Sequence, residues 1–177
     1  MYAAHFAAAL AVKARVPEAP AWALLTAAFV PDLAWIALAR LGIEPELPPK
    51  GFFDDWSHSL LMILVLASIF ALAFWRHRWR VVVAVWVAGL SHFFLDFLIH
   101  PAKLAIYPFS SVRLGLSLWQ FGQQKSWLGP NHYWWIETGV IVPLLVVYLW
   151  SWRRGFLQQR LMAASCFVVI GLHLLSL

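Results

Sequence analysis

Two apolar stretches, Ser57–Trp75 and Val81–Ile99, are separated only by Arg76-His77-Arg78-Trp79-Arg80, and together they hold a single carboxylate, Asp96. At 1.5 Å of rise per residue, each is long enough to cross a hydrocarbon core about 30 Å thick. A length of 177 residues would suit one soluble domain, but the apolar content puts the chain in the membrane class. The composition agrees. Hydrophobic residues make up 63% and charged residues 12%, against roughly 45–50% and 25% in soluble domains. Twelve tryptophans fit a chain with two membrane interfaces to line.

The expected fold is all-α, a polytopic transmembrane bundle of about six helices forming one domain over residues 1–177. The segments are Tyr2–Val16, Ala21–Leu41, Ser57–Trp75, Val81–Ile99, Tyr133–Trp152 and Phe156–Leu177. The first is short and Ala-rich and is expected to enter the membrane only partway. Pro31 removes a backbone donor inside the second and is expected to kink it. The Gly42–Trp56 link holds Glu44, Glu46, Asp54 and Asp55, of which the two aspartates are read as solvated in a wet loop. Residues 101–131 are too mixed to span and read as a long interfacial segment on the non-cytoplasmic side.

Lysine and arginine set the orientation. In a six-helix topology, eight of the 13 bases (Lys13, Arg15, Arg76, Arg78, Arg80, Arg153, Arg154 and Arg160) share one side, which is therefore cytoplasmic. The expected location is a bacterial inner membrane. The bases lie between apolar spans rather than among exposed aromatics, so nucleic acid is not an expected partner. Cys166 is the lone cysteine, which excludes an intrachain disulfide and a cysteine metal cage. The N-terminal stretch shows no cleavable signal peptide with a clear exit site.

An ionisable group inside a span costs roughly 2.5–3.5 kcal/mol on insertion scales, so each one needs a reason. Asp32 lies about 13–14 Å and His92 about 10 Å from the outer ends of their helices. Asp96 and His100 follow His92 at i+4 and i+8 along one helix face. His5, His58, His132 and Glu137 open helices at that same end. His nitrogens and carboxylate oxygens are the ligands that zinc, manganese and iron accept. A His-x-x-x-Asp pair alone is more often a local hydrogen bond, and a buried polar network gluing helices explains the larger set too. Two carboxylates in low dielectric repel, and a divalent cation removes that conflict.

Other residues have simpler readings. Ser57 is expected to cap the third helix. Asp55 is close enough in sequence to orient His58. His100 and His132 are ligands or interfacial polar groups, His77 is interfacial on the basic side, and His173, without expected polar neighbours, packs or faces lipid. Trp56, Trp119, Trp127, Trp134 and Trp135 read as an aromatic belt, and Asn131 as a helix cap.

The order His5, Pro31-Asp32, Ser57-His58-Ser59, Ser91-His92-Phe-Phe-Leu-Asp96 and Tyr107-Pro108-Phe109 resembles the bacterial membrane-bound metal-dependent hydrolase-like family. The stretch from His100 through Leu114–Trp119 to Glu137 is similar to an uncharacterised branch of it, and the ligand order also resembles zinc-dependent phospholipase C. The resemblance implies metal ligands at His5, Asp32, His58, His92 and Asp96, with His100 beside them. It departs from the family at Phe53-Asp54-Asp55, where many members carry His-Arg, and at Pro101-Ala102-Lys103, where the branch often has Arg-Pro-Asp.

The functional expectation is a membrane-embedded hydrolase whose divalent metal, zinc or alternatively manganese, activates water against a phosphoester or lipid-like substrate at the outer leaflet. Glu137 or Asp55 is the expected catalytic base. The partners are the bilayer and an amphiphilic substrate, and the oligomeric state is open. A transport or proton-relay protein and a structural subunit with a polar packing cluster are the alternatives.

Overall fold

The computed structural model describes residues 2–44, 46–47, 51–100, 102–116, 118, 132–151 and 156–174. Among these the protein is mostly helical. Helices α1 (Tyr2–Arg15) and α2 (Ala21–Arg40) lead to a small hairpin of β1 (Glu46–Leu47) and β2 (Gly51–Phe52). A single turn, α3 (Asp55–His58), precedes α4 (Leu60–Leu72), and α5 (Trp79–Ile99) follows a basic turn. A second hairpin, β3 (Leu104–Ala105) with β4 (Arg113–Leu114), is followed by α6 (His132–Trp150) and α7 (Phe156–Leu174). Among the described residues, two helices, α2 and α5, are long and apolar enough to cross a membrane, and α4 and most of α6 are shorter apolar helices.

The third expected helix is not continuous. Ser59 adopts an extended conformation (ψ 151°) that breaks it into α3 and α4, and its side chain accepts from the Met62 N–H at 3.4 Å. Ser59 therefore fills the cap role expected of Ser57. The helix ends at Leu72, short of Trp75. The long interfacial segment holds the β3–β4 hairpin, seated on the bundle by Leu61 N–H donating to Ile106 O (2.9 Å) and Leu116 N–H donating to Phe97 O (2.7 Å). Asn131, Trp119 and Trp127 lie outside the described residues.

Helix α1 occupies the middle. Ala3, Ala4, Ala7, Ala8 and Leu10 are buried in one cluster with Ile141, Leu145 and Tyr148 of α6 and with Val169 of α7. Ala9 joins a second cluster with Ala23, Ala27, Val85 and Ala88 of α2 and α5. Alanine lets several helices close on one axis, because small side chains allow backbones near approach. Gly89 serves the same end. A Cβ there would lie 2.8 Å from Ala67 Cβ and 3.5 Å from Ala27 O, so its absence lets α5 close on both α4 and α2.

Candidate metal centre

That close approach decides where His92 goes. One turn beyond Gly89, its Nδ1 lies 2.8 Å from the Ala28 carbonyl of α2. A carbonyl only accepts, so Nδ1 carries the proton, and in the neutral imidazole Nε2 then keeps its lone pair. Nε2 is buried without a hydrogen-bond partner. It faces Asp96 Oδ2 at 3.4 Å and Asp32 Oδ1 at 3.9 Å.

His58 is set in the same way. The Glu44 carboxylate, fully buried, accepts the backbone N–H groups of Trp56 (2.6 Å) and Ser57 (2.9 Å) and the Ser57 hydroxyl (2.7 Å). With its proton given to Glu44, the Ser57 oxygen accepts from His58 Nδ1 at 2.7 Å. His58 Nε2 is left as a lone pair 3.4 Å from Asp32 Oδ1. Outer partners of this kind fix the tautomer and ring direction of metal-ligating histidines. The group that orients His58 is Ser57 rather than Asp55.

His5 and His100 complete the cluster, each with Nε2 at 3.5 Å from Asp96 Oδ1. The His5 ring stacks on His92 at 3.9 Å and 10°. Two groups satisfy the reach of a single ion, Asp32–His58–His92 and His5–His92–Asp96, sharing His92. All six residues singled out as ligands are therefore brought together, from four helices and the residue that ends α5.

The spacings are slightly longer than ordinary hydrogen bonds and lie in the range that two ligands of one cation would need. An N–H···O bond runs about 2.7–3.2 Å. Two ligand atoms about 2.0–2.2 Å from one zinc at the tetrahedral angle stand roughly 3.3–3.6 Å apart. Four of the five nitrogen–oxygen separations are 3.4–3.5 Å. Lone pairs aimed at carboxylate oxygens across that distance repel one another unless a positive centre, a metal ion or a proton on Nε2, lies between them. The donor set, imidazole with carboxylate, is that of zinc, manganese or iron, so the residues fit a divalent metal.

The rim is built from charge. Asp54 and Asp55 are both buried. Lys103 pairs with Asp54 Oδ2 at 3.0 Å. Arg113 forks onto Asp55 at 2.5 and 3.1 Å, and the Phe109 N–H donates to Asp55 Oδ2 at 2.9 Å. The Asp55 carboxylate holds the Arg113 guanidinium above its ordinary pKa. Both aspartates were expected to be solvated; the hairpin buries them instead and supplies the matching bases. Phe109, at φ +65°, is 70% exposed and stacks on Phe53 at 5.3 Å.

Comparison with family models, with curated proteins and with solved structures finds no match to this chain.

Glu137 is placed elsewhere in the bundle. Its Oε2 lies 3.3 Å from His173 Nδ1 on α7, and His173 Nε2 lies 2.7 Å from Thr138 Oγ1. Trp134 stacks on the same imidazole at 4.7 Å. His173 thus has the polar neighbours it was expected to lack, and the half-buried Trp134 is one of the residues packed against it. The His132 side chain lies outside the described residues. Neither Glu44 nor the Glu137–His173 pair was found from sequence; the adjacency of Ser57 to His58 was the one local sign of the former.

Proposed function

We propose that this chain is a polytopic integral membrane protein that holds a divalent metal, zinc or manganese, and hydrolyses a phosphoester or related bond in a lipid-like substrate. The observation that carries the reading is the set of Nε2 lone pairs and carboxylate oxygens at coordination spacing, with the Nδ1 atoms of His92 and His58 already committed to Ala28 and Ser57. The resemblance to the membrane-bound metal-dependent hydrolase-like family points the same way.

The membrane half of the proposal is supported by an inverted polarity. Leu61, Val65, Ile69 and Leu72 stand exposed on one face of α4, while His5, His92 and Asp96 are buried. A soluble protein does not present such a stripe to water without a partner. Arg15 and Arg80 line one groove at the end of α1 and α5 opposite to His5 and Asp96. By the positive-inside rule the centre then faces the non-cytoplasmic side of a bacterial inner membrane.

A metal held by Asp32, His58, His92 and Asp96, with His5 and His100 beside it, supplies a bound water of lowered pKa and an electrophilic contact for the scissile bond. Asp32 Oδ2, buried and without a hydrogen-bond partner, is placed to receive a proton. Asp55 acts as an anchor for the rim, since both its oxygens are engaged. Elemental analysis of the full chain purified in mild detergent without chelator tests the reading. Stoichiometric zinc or manganese is expected, absent from the H92A/D96A double variant; metal-free wild-type protein would sink it.

A further inference from the structure

The basic end of the molecule carries a second feature, unconnected with the metal centre. A furrow of about 560 Å³ runs between α1, α5 and α6. Ala11, Val87 and Leu144 form part of its walls, Arg15 and Arg80 stand at one end, and Ser91 closes the other. The Ser91 hydroxyl donates to Ala88 O at 2.7 Å within its own helix, so the far end offers no spare donor. A second cleft of about 500 Å³ shares Arg15 and Val147 and widens the basic end toward Trp150 and Ser151.

Three properties select the occupant. From Arg80 to Ser91 the furrow follows α5 for about 16 Å, close to half of a hydrocarbon core about 30 Å thick. That is the depth of one leaflet. Apart from Trp79 at the basic end, the walls between Arg80 and Ser91 are aliphatic, which suits a hydrocarbon tail better than a peptide with its backbone amides. Arg15 and Arg80 have no carboxylate partner among the described residues, unlike Arg113 and Lys103 at the other end. Basic pockets between helices on the cytoplasmic side attract anionic lipid headgroups, and guanidinium groups match phosphate geometry.

We infer that this furrow is a binding site for an anionic phospholipid of the cytoplasmic leaflet, one acyl chain lying along α5 and the phosphate held by Arg15 and Arg80. The site rests on the membrane reading above, though not on the metal. It would fasten α1, which carries His5, to α5, which carries His92 and Asp96.

The test uses the full chain in mild detergent with added phosphatidylglycerol or phosphatidylcholine, read by native mass spectrometry and thermal unfolding. Phosphatidylglycerol is expected to stay bound at one per chain and raise Tm, and phosphatidylcholine to do neither. R15Q/R80Q should cut retention of phosphatidylglycerol by roughly tenfold or more. V87F, which keeps both charges and fills the furrow, should also lose the lipid, while R40Q at the far end of α2 should keep it. Equal behaviour of the two lipids, or a preference that survives both R15Q/R80Q and V87F, overturns the site. So does a dimer of the chain that V87F abolishes, since a second copy would then be the occupant. A chain that stays in carbonate-washed membranes yet shows no lipid preference overturns the furrow alone; a chain recovered as soluble protein overturns the membrane reading with it.

Discussion

The Glu44 carboxylate accepts both the backbone N–H and the hydroxyl of Ser57, at 2.9 and 2.7 Å, with the hydroxyl oxygen in turn 2.7 Å from His58 Nδ1. The pair fixes the side chain of His58 and the start of α3 at once. Removing the carboxylate leaves the Trp56 N–H without its acceptor and the Ser57 N–H and hydroxyl with only the longer contacts to Asp54 O (3.3 and 3.2 Å), and a lost buried partner costs about 1–3 kcal/mol. Glu44→Ala is therefore expected to unfold at a markedly lower temperature. Ser57→Ala leaves the backbone bonds in place and frees His58 to rotate. It should weaken metal affinity by roughly 10–100-fold with a smaller loss of Tm, measurable by competition with a chromogenic chelator. Unchanged affinity in Ser57→Ala would remove it from the orienting role.

Metal removal separates a coordination site from helix glue. Treating the wild-type chain with a strong chelator should lower Tm and be reversed by added zinc or manganese, because a ligand bound only to the native state stabilises it by mass action. The H92A/D96A variant should be indifferent to both treatments. If chelator leaves the wild type unmoved while H92A alone lowers Tm, the cluster is structural.

Gly89 tests the packing that delivers His92 to Ala28. A methyl group there would sit 2.8 Å from Ala67 Cβ. Gly89→Ala should cost about 1–3 kcal/mol by overpacking, read as a drop in Tm. The reciprocal change Ala67→Gly should restore most of it in a double-mutant cycle. Additive losses would show that α4 is not the neighbour that sets the distance.

At the rim, Arg113→Gln leaves the buried Asp55 without its cation. Breaking such a pair costs about 3–5 kcal/mol when both partners are buried, and the low end applies here because Arg113 is partly exposed. Phe109 should lose its hold at positive φ, so backbone amides over 104–114 should exchange hydrogen faster. Exchange as slow as in the wild type would show that the hairpin is held by Leu61 and Phe97 alone.

His92 and Asp96 were readable from sequence because a step of four places both on one helix face, and Asp32 because a carboxylate inside an apolar run needs a reason. His5 came from its place at the outer end of the first helix and from a resemblance in motif order, since an Ala-rich stretch bearing one histidine has no periodicity that marks it. Glu44 and Ser57 are separated by a proline-containing link, and Asp55 opens α3 while Arg113 lies on the β3–β4 hairpin. Such pairings are decided by tertiary closure, and a charged residue in a polar loop looks the same whether it will be solvated or buried. His173 was misread for that reason: its partners Glu137 and Thr138 sit on the neighbouring helix. The break at Ser59 was hidden by the uniform apolarity on its C-terminal side.

The alanines of α1 have a consequence for how this protein can vary. Ala4, Ala7 and Ala9 have no exposed surface, and helices close in around them, so even one added methylene has no free volume to enter. The outward residues of α4 meet only the surroundings and can exchange among aliphatic types. A saturation scan should therefore rank the least hydrophobic-looking helix as the most intolerant. Drift in sequence should accumulate on the greasy outer surface, the reverse of the pattern in water-soluble proteins, where the exterior drifts among polar residues and the oily interior is held fixed.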